Sequence, residues 1–337
     1  MSAAIRSIAV LRPNHRLGNT LLVMPLVQEL QTRFPQAEIT VVSGCGAAPV
    51  LFRTYERVHA EHYLPPATLR QAGQMLRTLR ALRSARFDLA IDPITRSRMG
   101  RLMLRYVHAR ERVGFRWGQA GRDRVLTHSA DPLHAPAHFT QAPIWLLRTA
   151  YLGEAGSNAA APVPMDLRLT GEERLHGARR LAATLGSAAP VGSAEWRARP
   201  KVGLFVNATG QKLYPLEWWR QLIGCFRGSH VQLVEIVPED ARPRLAAEIP
   251  GVFTPDLRLL GATLAATSLL VVADSGVMHL AEAAGAPILG LFRTTQPSQY
   301  APLRSGSEGV WAPDVPAETI AARMRELLFG AAGRAAG

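Results

Sequence analysis

The chain has 337 residues, 47% of them hydrophobic, and a formal net charge of +13. That length predicts two domains of roughly 150 residues, and the apolar content excludes general disorder, leaving only the Ala/Gly/Arg stretch after Phe329 as a flexible tail. The longest apolar runs, 269–273 and 288–292, are strand-sized, so no membrane-spanning helix is expected, and the positive charge comes without the aromatic interleaving or motifs of a nucleic-acid binder.

The first half opens with a strand at 7–11, which stops at Arg12-Pro13 without the small-residue pattern of a signal peptide. A polar loop leads into a helix over about 19–34, with Leu22, Leu26, Val27, Leu30 and Phe34 near helical spacing. Asn19 or Thr20 can cap that helix, and Pro25 predicts a kink or a short first segment. Residues 38–43 read as the next strand, 44–46 as a turn, and 87–92 as a buried strand ending in Asp92. Residues 186–200, rich in Gly, Ala, Ser and Pro, read as a linker or flexible loop.

The rhythm then restarts with a strand at 201–206 and a helix at 216–226 entered through Pro215. A strand at 231–237, a helix containing 242–248, a short helix at 264–267 and a strand at 269–273 follow. A helix at 278–284, a strand at 288–292 and a closing helix at 318–329 complete the pattern. Strands alternating with helices imply parallel sheets covered on both faces. The expected division is a first domain over 1–170, a boundary region over 171–200, a second domain over 201–330 and a tail over 331–337. Two Rossmann-like halves make an interdomain cleft the natural place for a ligand.

The chemistry concentrates where strands end. Asp274-Ser275-Gly276 joins an apolar strand to a helix, which aims free backbone N–H groups at an approaching anion. His279 falls in the first turn of that helix; the alternative is a plain N-cap beside a surface histidine. Asn207, Thr209 and Lys212 follow the strand 201–206. Lys212 is one of only two lysines, and a flexible point charge there suits a pyrophosphate. Glu239, after the strand 231–237, is placed to take a ribose diol or to cap the helix behind it. Cys45 and Cys225 lack metal-ligand spacing and read as core fillers.

Taken in order, these segments resemble glycosyltransferase family 9, the ADP-heptose:lipopolysaccharide heptosyltransferase group. Leu17-Gly18-Asn19 through Pro25 is similar to the family's opening, and residues 88–101 to its Asp-Leu-x-Ile-Asp strand and arginine-bearing helix. Arg112-Val113-Gly114-Phe115, the segment 202–219 with Lys212 and Trp219, and above all the signature over 274–287 continue the series. The resemblance implies a GT-B architecture, two facing Rossmann-like domains with the donor nucleotide on the C-terminal one. It places Asn207, Thr209 and Lys212 near a diphosphate, Glu239 at the ribose and Leu257 at the adenine or ribose. Asp274, Ser275, Gly276 and His279 would hold sugar and phosphates. It implies inversion at the anomeric carbon with no metal and no other cofactor, and the chain has no DxD motif.

One position departs from the family. Asn19 stands where the family has the aspartate that acts as general base, and an amide cannot take the acceptor's proton. Three readings follow. His15 on the same loop is the base, or Asp92 is, or chemistry is lost and a nucleotide-sugar-binding protein remains; an epimerase is a further alternative. The expected partners are a nucleotide-sugar, an anionic glycolipid acceptor and the inner-leaflet membrane surface, with no nucleic acid. The expected location is cytoplasmic, peripheral at the inner membrane, and the arginine-bearing helical segments 70–86 and 96–110 are the docking candidates.

Overall fold

The computed structural model describes residues 4–60, 72–154, 162–238 and 242–330. The chain divides into two compact units, Met1–Met165 and Asp166–Gly337. In the first, strands β1 (Ser7–Arg12), β2 (Glu38–Ser43), β3 (Val58–His59), β4 (Arg86–Asp92), β5 (His108–Phe115) and β6 (His128–Ala130) form one sheet in the order β3-β2-β1-β4-β5-β6. In the second, β7 (Lys201–Phe205), β8 (Gln232–Val237), β9 (Gly251–Phe253), β10 (Leu269–Ala273), β11 (Ile288–Phe292) and β12 (Glu308–Trp311) are ordered β12-β11-β10-β7-β8-β9. Every described strand pair is parallel. Counted within its own unit, each sheet therefore has the doubly wound order 3-2-1-4-5-6 of Rossmann-like domains.

Central strands are almost wholly apolar because helices cover both of their faces: every residue of β7, β10 and β11 is buried, Lys201 at the start of β7 being the charged exception. In the second unit Val202, Leu204, Val271 and Leu289 meet Trp219 and Leu222 of the helix Leu216–Gly224 and Ile320 and Met324 of the helix Ala317–Phe329. The helix Gly276–Ala284 ends at Gly285, whose φ of 91° closes the turn before β11 and favours a residue without Cβ.

The first helix has the short first segment that Pro25 predicts: it is two helices, Leu17–Leu21 and Met24–Arg33, because Pro25 lacks an N–H and sits in the opening turn of the second. Other sequence expectations are corrected. The region 171–200 carries folded elements of the second unit. Thr170 and Glu173 form a reciprocal capping box at the head of the helix Gly171–Thr184, and Ser193 caps the helix Ala194–Ala198. The helix Gly171–Thr184 lies so close to the helix Leu257–Ala265 that a Cβ on Gly177 would run into the backbone of Ala262. No helix forms over 242–248. Buried Glu235 accepts the backbone N–H groups of Arg244 and Leu245 there, at 2.9 and 2.8 Å, in place of helical bonds. The helix expected at 264–267 is the end of Leu257–Ala265.

Candidate functional site

In the order 3-2-1-4-5-6 the direction in which strands are added reverses between the first and fourth strands, and the crevice beyond their carboxyl ends is where such sheets bind ligands. In the second unit those strands are β7 and β10. The segments leaving them are 207–212 and 274–276, which the sequence singled out.

Asp274 follows β10 directly and is 5% exposed. Its Oδ2 accepts Lys212 Nζ and Thr295 Oγ1, each at 2.5 Å. Its Oδ1 lies 3.9 Å from His279 Nε2. Three strand ends thus converge on one carboxylate: Lys212 comes from the loop after β7, and Thr295 from the loop after β11. His279 is 4% exposed, with the Tyr300 ring 6.2 Å away, so it is no surface histidine. Ser275 is extended (φ −156°) and its hydroxyl caps nothing; Oγ is buried with no protein partner, as is Asn207 Nδ2. Gly210 takes φ 59° in the turn that brings Lys212 back toward Asp274, and exposed Thr209 precedes that turn.

Two residues that the sequence reading passed over complete this arrangement. Thr295 is one. Arg293 is the other: its Nη1 donates to the Leu213 carbonyl at 2.7 Å and its Nε to the Pro313 carbonyl at 3.1 Å, while its guanidinium lies 4.8 Å from the Tyr214 ring centre. It ties the Lys212 loop to the segment after β11. Both were accessible as polar residues just beyond the strand 288–292. Leu257 heads its own helix, capped by Asp256, and is part-buried; Glu239 lies outside the described residues. Glu282, in the same helix as His279, is 1% exposed and accepts the Leu303 N–H at 2.8 Å. Burial pushes its carboxyl up to about 7, against the pull of Arg304.

The switch point of the first unit lies between β1 and β4. After β1, Asn14 Oδ1 accepts both the Arg16 N–H at 2.9 Å and Asn19 Nδ2 at 2.8 Å, and Arg12 Nε donates to the Asn19 carbonyl at 3.2 Å. Gly44 backs this loop closely; a Cβ there would stand 2.8 Å from the Asn14 carbonyl carbon. His15 is exposed on the loop. Asp92, at the end of β4, is fully buried: Gly100 packs directly on the carboxylate, Oδ1 accepts the Ile94 N–H at 3.4 Å, and Oδ2 has no protein partner. Burial pushes its pKa up to about 7 despite Arg101 and Arg12. A carboxyl so enclosed offers no face to an acceptor hydroxyl, which counts against Asp92 as the base. Beyond β4 and β5 a cavity of about 290 Å³ is lined by Arg96, Arg98, Trp117, Gln119 and Arg122. Among the described residues, no cluster of three His, Cys, Asp or Glu could hold a metal ion.

Residues 75–326 match the model of glycosyltransferase family 9 (heptosyltransferase). The chain belongs to this family. The match covers most of the chain and spans both switch-point segments of the second unit. The structure of a family 9 glycosyltransferase from Veillonella parvula DSM 2008 is similar, with 15% identity, a TM-score of 0.75, and 97% of this chain and 98% of that one covered. E. coli ADP-heptose LPS heptosyltransferase II is 20% identical, with a TM-score of 0.71 and coverage of 96% and 98%. E. coli heptosyltransferase WaaC, solved with ADP-2-deoxy-2-fluoro heptose, is 16% identical, with a TM-score of 0.69 and coverage of 95% and 99%. No curated protein gives a sequence match. These likenesses identify the fold as the two Rossmann-like domains of a GT-B glycosyltransferase.

Proposed function

We propose that this glycosyltransferase moves a heptose or related sugar, with inversion, from a nucleotide-sugar to an anionic glycolipid acceptor of the lipopolysaccharide type. ADP-heptose is the expected donor, in keeping with the ligand held by the similar WaaC structure. One observation carries the reading: Lys212, Asp274 and His279 meet at the head of the helix Gly276–Ala284, at the switch point of the second unit.

In the transfer the acceptor oxygen bonds to the anomeric carbon as the bond from that carbon to the diphosphate breaks. The departing diphosphate gathers negative charge, which the Lys212 ammonium and the N–H groups opening at Ser275 and Gly276 stabilise. Asp274 holds the Lys212 head in place through Oδ2, and its Oδ1, with His279, faces a sugar hydroxyl. Leu257 and Glu239 complete the nucleoside end. In the first unit the cavity of Arg96, Arg98 and Arg122 suits acidic groups of the acceptor. The acceptor proton goes to His15, the exposed imidazole of the Asn19 loop. A second reading, donor binding without transfer, is favoured by Asn19 itself.

A thermal-shift titration with ADP, GDP, UDP and their sugar conjugates tests the proposal. A nucleotide at a hundredfold excess over its Kd stabilises the folded state by about 2.7 kcal/mol. ADP and its sugars are expected to give such a shift, and Lys212→Gln to diminish it. If no nucleotide shifts the wild type, the donor site is not where we place it; a shift without turnover on any acceptor selects the second reading.

A further inference from the structure

We propose that the outer surface of two helices of the first unit, Ala72–Ser84 and Arg98–Tyr106, is a docking face for an anionic lipid bilayer. It deepens the acceptor reading, because a lipid-linked acceptor is met at such a surface, but it stands on different residues.

The two helices cover one face of the first sheet side by side. Leu82, Met103, Leu104 and Val107 share a buried cluster with Leu11 and Phe87. The Tyr106 hydroxyl donates to the Leu79 carbonyl at 3.0 Å, and Arg83 Nη1 donates to the Tyr106 carbonyl at 2.6 Å. What the helices turn outward is basic. Arg77, Arg80 and Arg83 are exposed on one, Arg98 and Arg105 on the other, and neither helix contains an acidic residue. Set among these arginines are Leu76, Met99 and Leu102, exposed by 47%, 51% and 56%.

Exposed aliphatic side chains on the same helices as exposed arginines match the boundary between headgroups and acyl chains: the aliphatic tips enter the apolar layer while the arginines hold lipid phosphates. Single-stranded nucleic acid is held by aromatic side chains stacked on bases, and the exposed apolar side chains here are aliphatic. Protein interfaces share the preference for arginine and methionine but draw on aromatic residues as well, and neither helix exposes a tryptophan, tyrosine or phenylalanine. Charge complementarity and aliphatic exposure on one face therefore point to a bilayer.

The test is co-sedimentation of the full chain with unilamellar vesicles of phosphatidylglycerol and phosphatidylethanolamine, beside vesicles of phosphatidylcholine alone. Wild type is expected to partition onto the anionic vesicles and to leave them as salt is raised. Leu76→Ser/Met99→Ser/Leu102→Ser is expected to weaken partitioning by about tenfold, and Arg77→Gln/Arg80→Gln by about fivefold per arginine. Both variants should keep the wild-type melting temperature and nucleotide response. Wild type that stays in solution with anionic vesicles, or variants that sediment as the wild type does, would overturn the proposal. So would tighter binding to RNA than to the vesicles with the apolar triple variant unimpaired in both. Loss of the nucleotide response with vesicle binding intact would count against the donor site alone.

Discussion

Replacing Asp92 by asparagine should stabilise the first unit at alkaline pH and do almost nothing in acid. The folded carboxyl titrates at about 7 against an ordinary value of 3.8, burial being the dominant cause and Arg101 and Arg12 opposing it. Between those two values the unfolded chain has shed a proton that the folded chain retains. Unfolding then releases a proton, and stability falls as pH rises. Below 3.8 both states are protonated and the penalty is absent; above about 7 it is complete. Each pKa unit separating the two states corresponds to about 1.4 kcal/mol, so the charged carboxylate costs about 4 kcal/mol at pH near 8. The attraction of Arg101 is already inside that figure, because it acts on the folded value. Asparagine keeps the shape of the neutral acid beneath Gly100 and cannot ionise. For a unit of this size the gain corresponds to a rise of about 8–16 °C in melting temperature. Differential scanning calorimetry in buffers from about pH 4 to 8 resolves it, provided the transitions of the two units are separated, since buried Glu282 imposes a dependence of the same sign on the second. Asp92→Asn melting below wild type at alkaline pH would show that pairing with Arg101 outweighs burial and would refute the reasoning.

Two further substitutions probe the strand ends. Thr295→Val removes a hydroxyl donor from Asp274 without changing shape. A hydrogen bond to a buried charged group is worth about 1.5–3 kcal/mol, so the melting temperature of the second unit should fall by about 4–8 °C, with a smaller nucleotide-induced shift; an unchanged melting temperature would remove Thr295 from the site. Asn19→Asp sets a carboxylate oxygen against Asn14 Oδ1, which already accepts the Arg16 N–H. It should cost about 1–2 kcal/mol in chemical denaturation, and a variant as stable as wild type would show that this amide contact does not hold the loop.

The central strands were legible because they are short apolar runs ended by polar, glycine-containing turns. Strands 38–43, 269–273 and 288–292 have the bounds read from sequence. Other strands were not: the edge strands β3, β9 and β12 are short and mixed in exposure, and β5 interleaves arginines with its apolar residues, so none of the four reads as a buried run. The composition of residues 186–200 hid the short helix Ala194–Ala198, and the boundary region 171–200 hid the helix Gly171–Thr184, although Thr170 and Glu173 carried the spacing of a capping box. The convergence of Lys212, Asp274 and Thr295 could be anticipated only as three strand ends, since their contacts span 62 and 21 residues of chain. That the strand ending in Asp92 is buried was legible, but the enclosure of its carboxylate was not, because it depends on Gly100 arriving from the following helix with no Cβ.

The two units repeat one topology and use it differently. At the second switch point a buried carboxylate is held by a lysine and a threonine, so its charge is compensated and its geometry fixed, as the proposed binding of a diphosphate-sugar requires. At the first, the corresponding acid is sealed with no hydrogen-bond partner at Oδ2, and Asn19, on the segment after β1, is an amide bonded into its own turn. A general base must be both titratable and reachable. Asp92 is titratable and enclosed; Asn19 is reachable only through an amide that cannot accept a proton. Because Asn19 also holds Asn14, its presence is more than the deletion of a charge: the loop is built around an amide donor, and a carboxylate would have to break that turn to act. The proposed proton acceptor therefore has to be sought on the solvent side of the loop, where His15 lies.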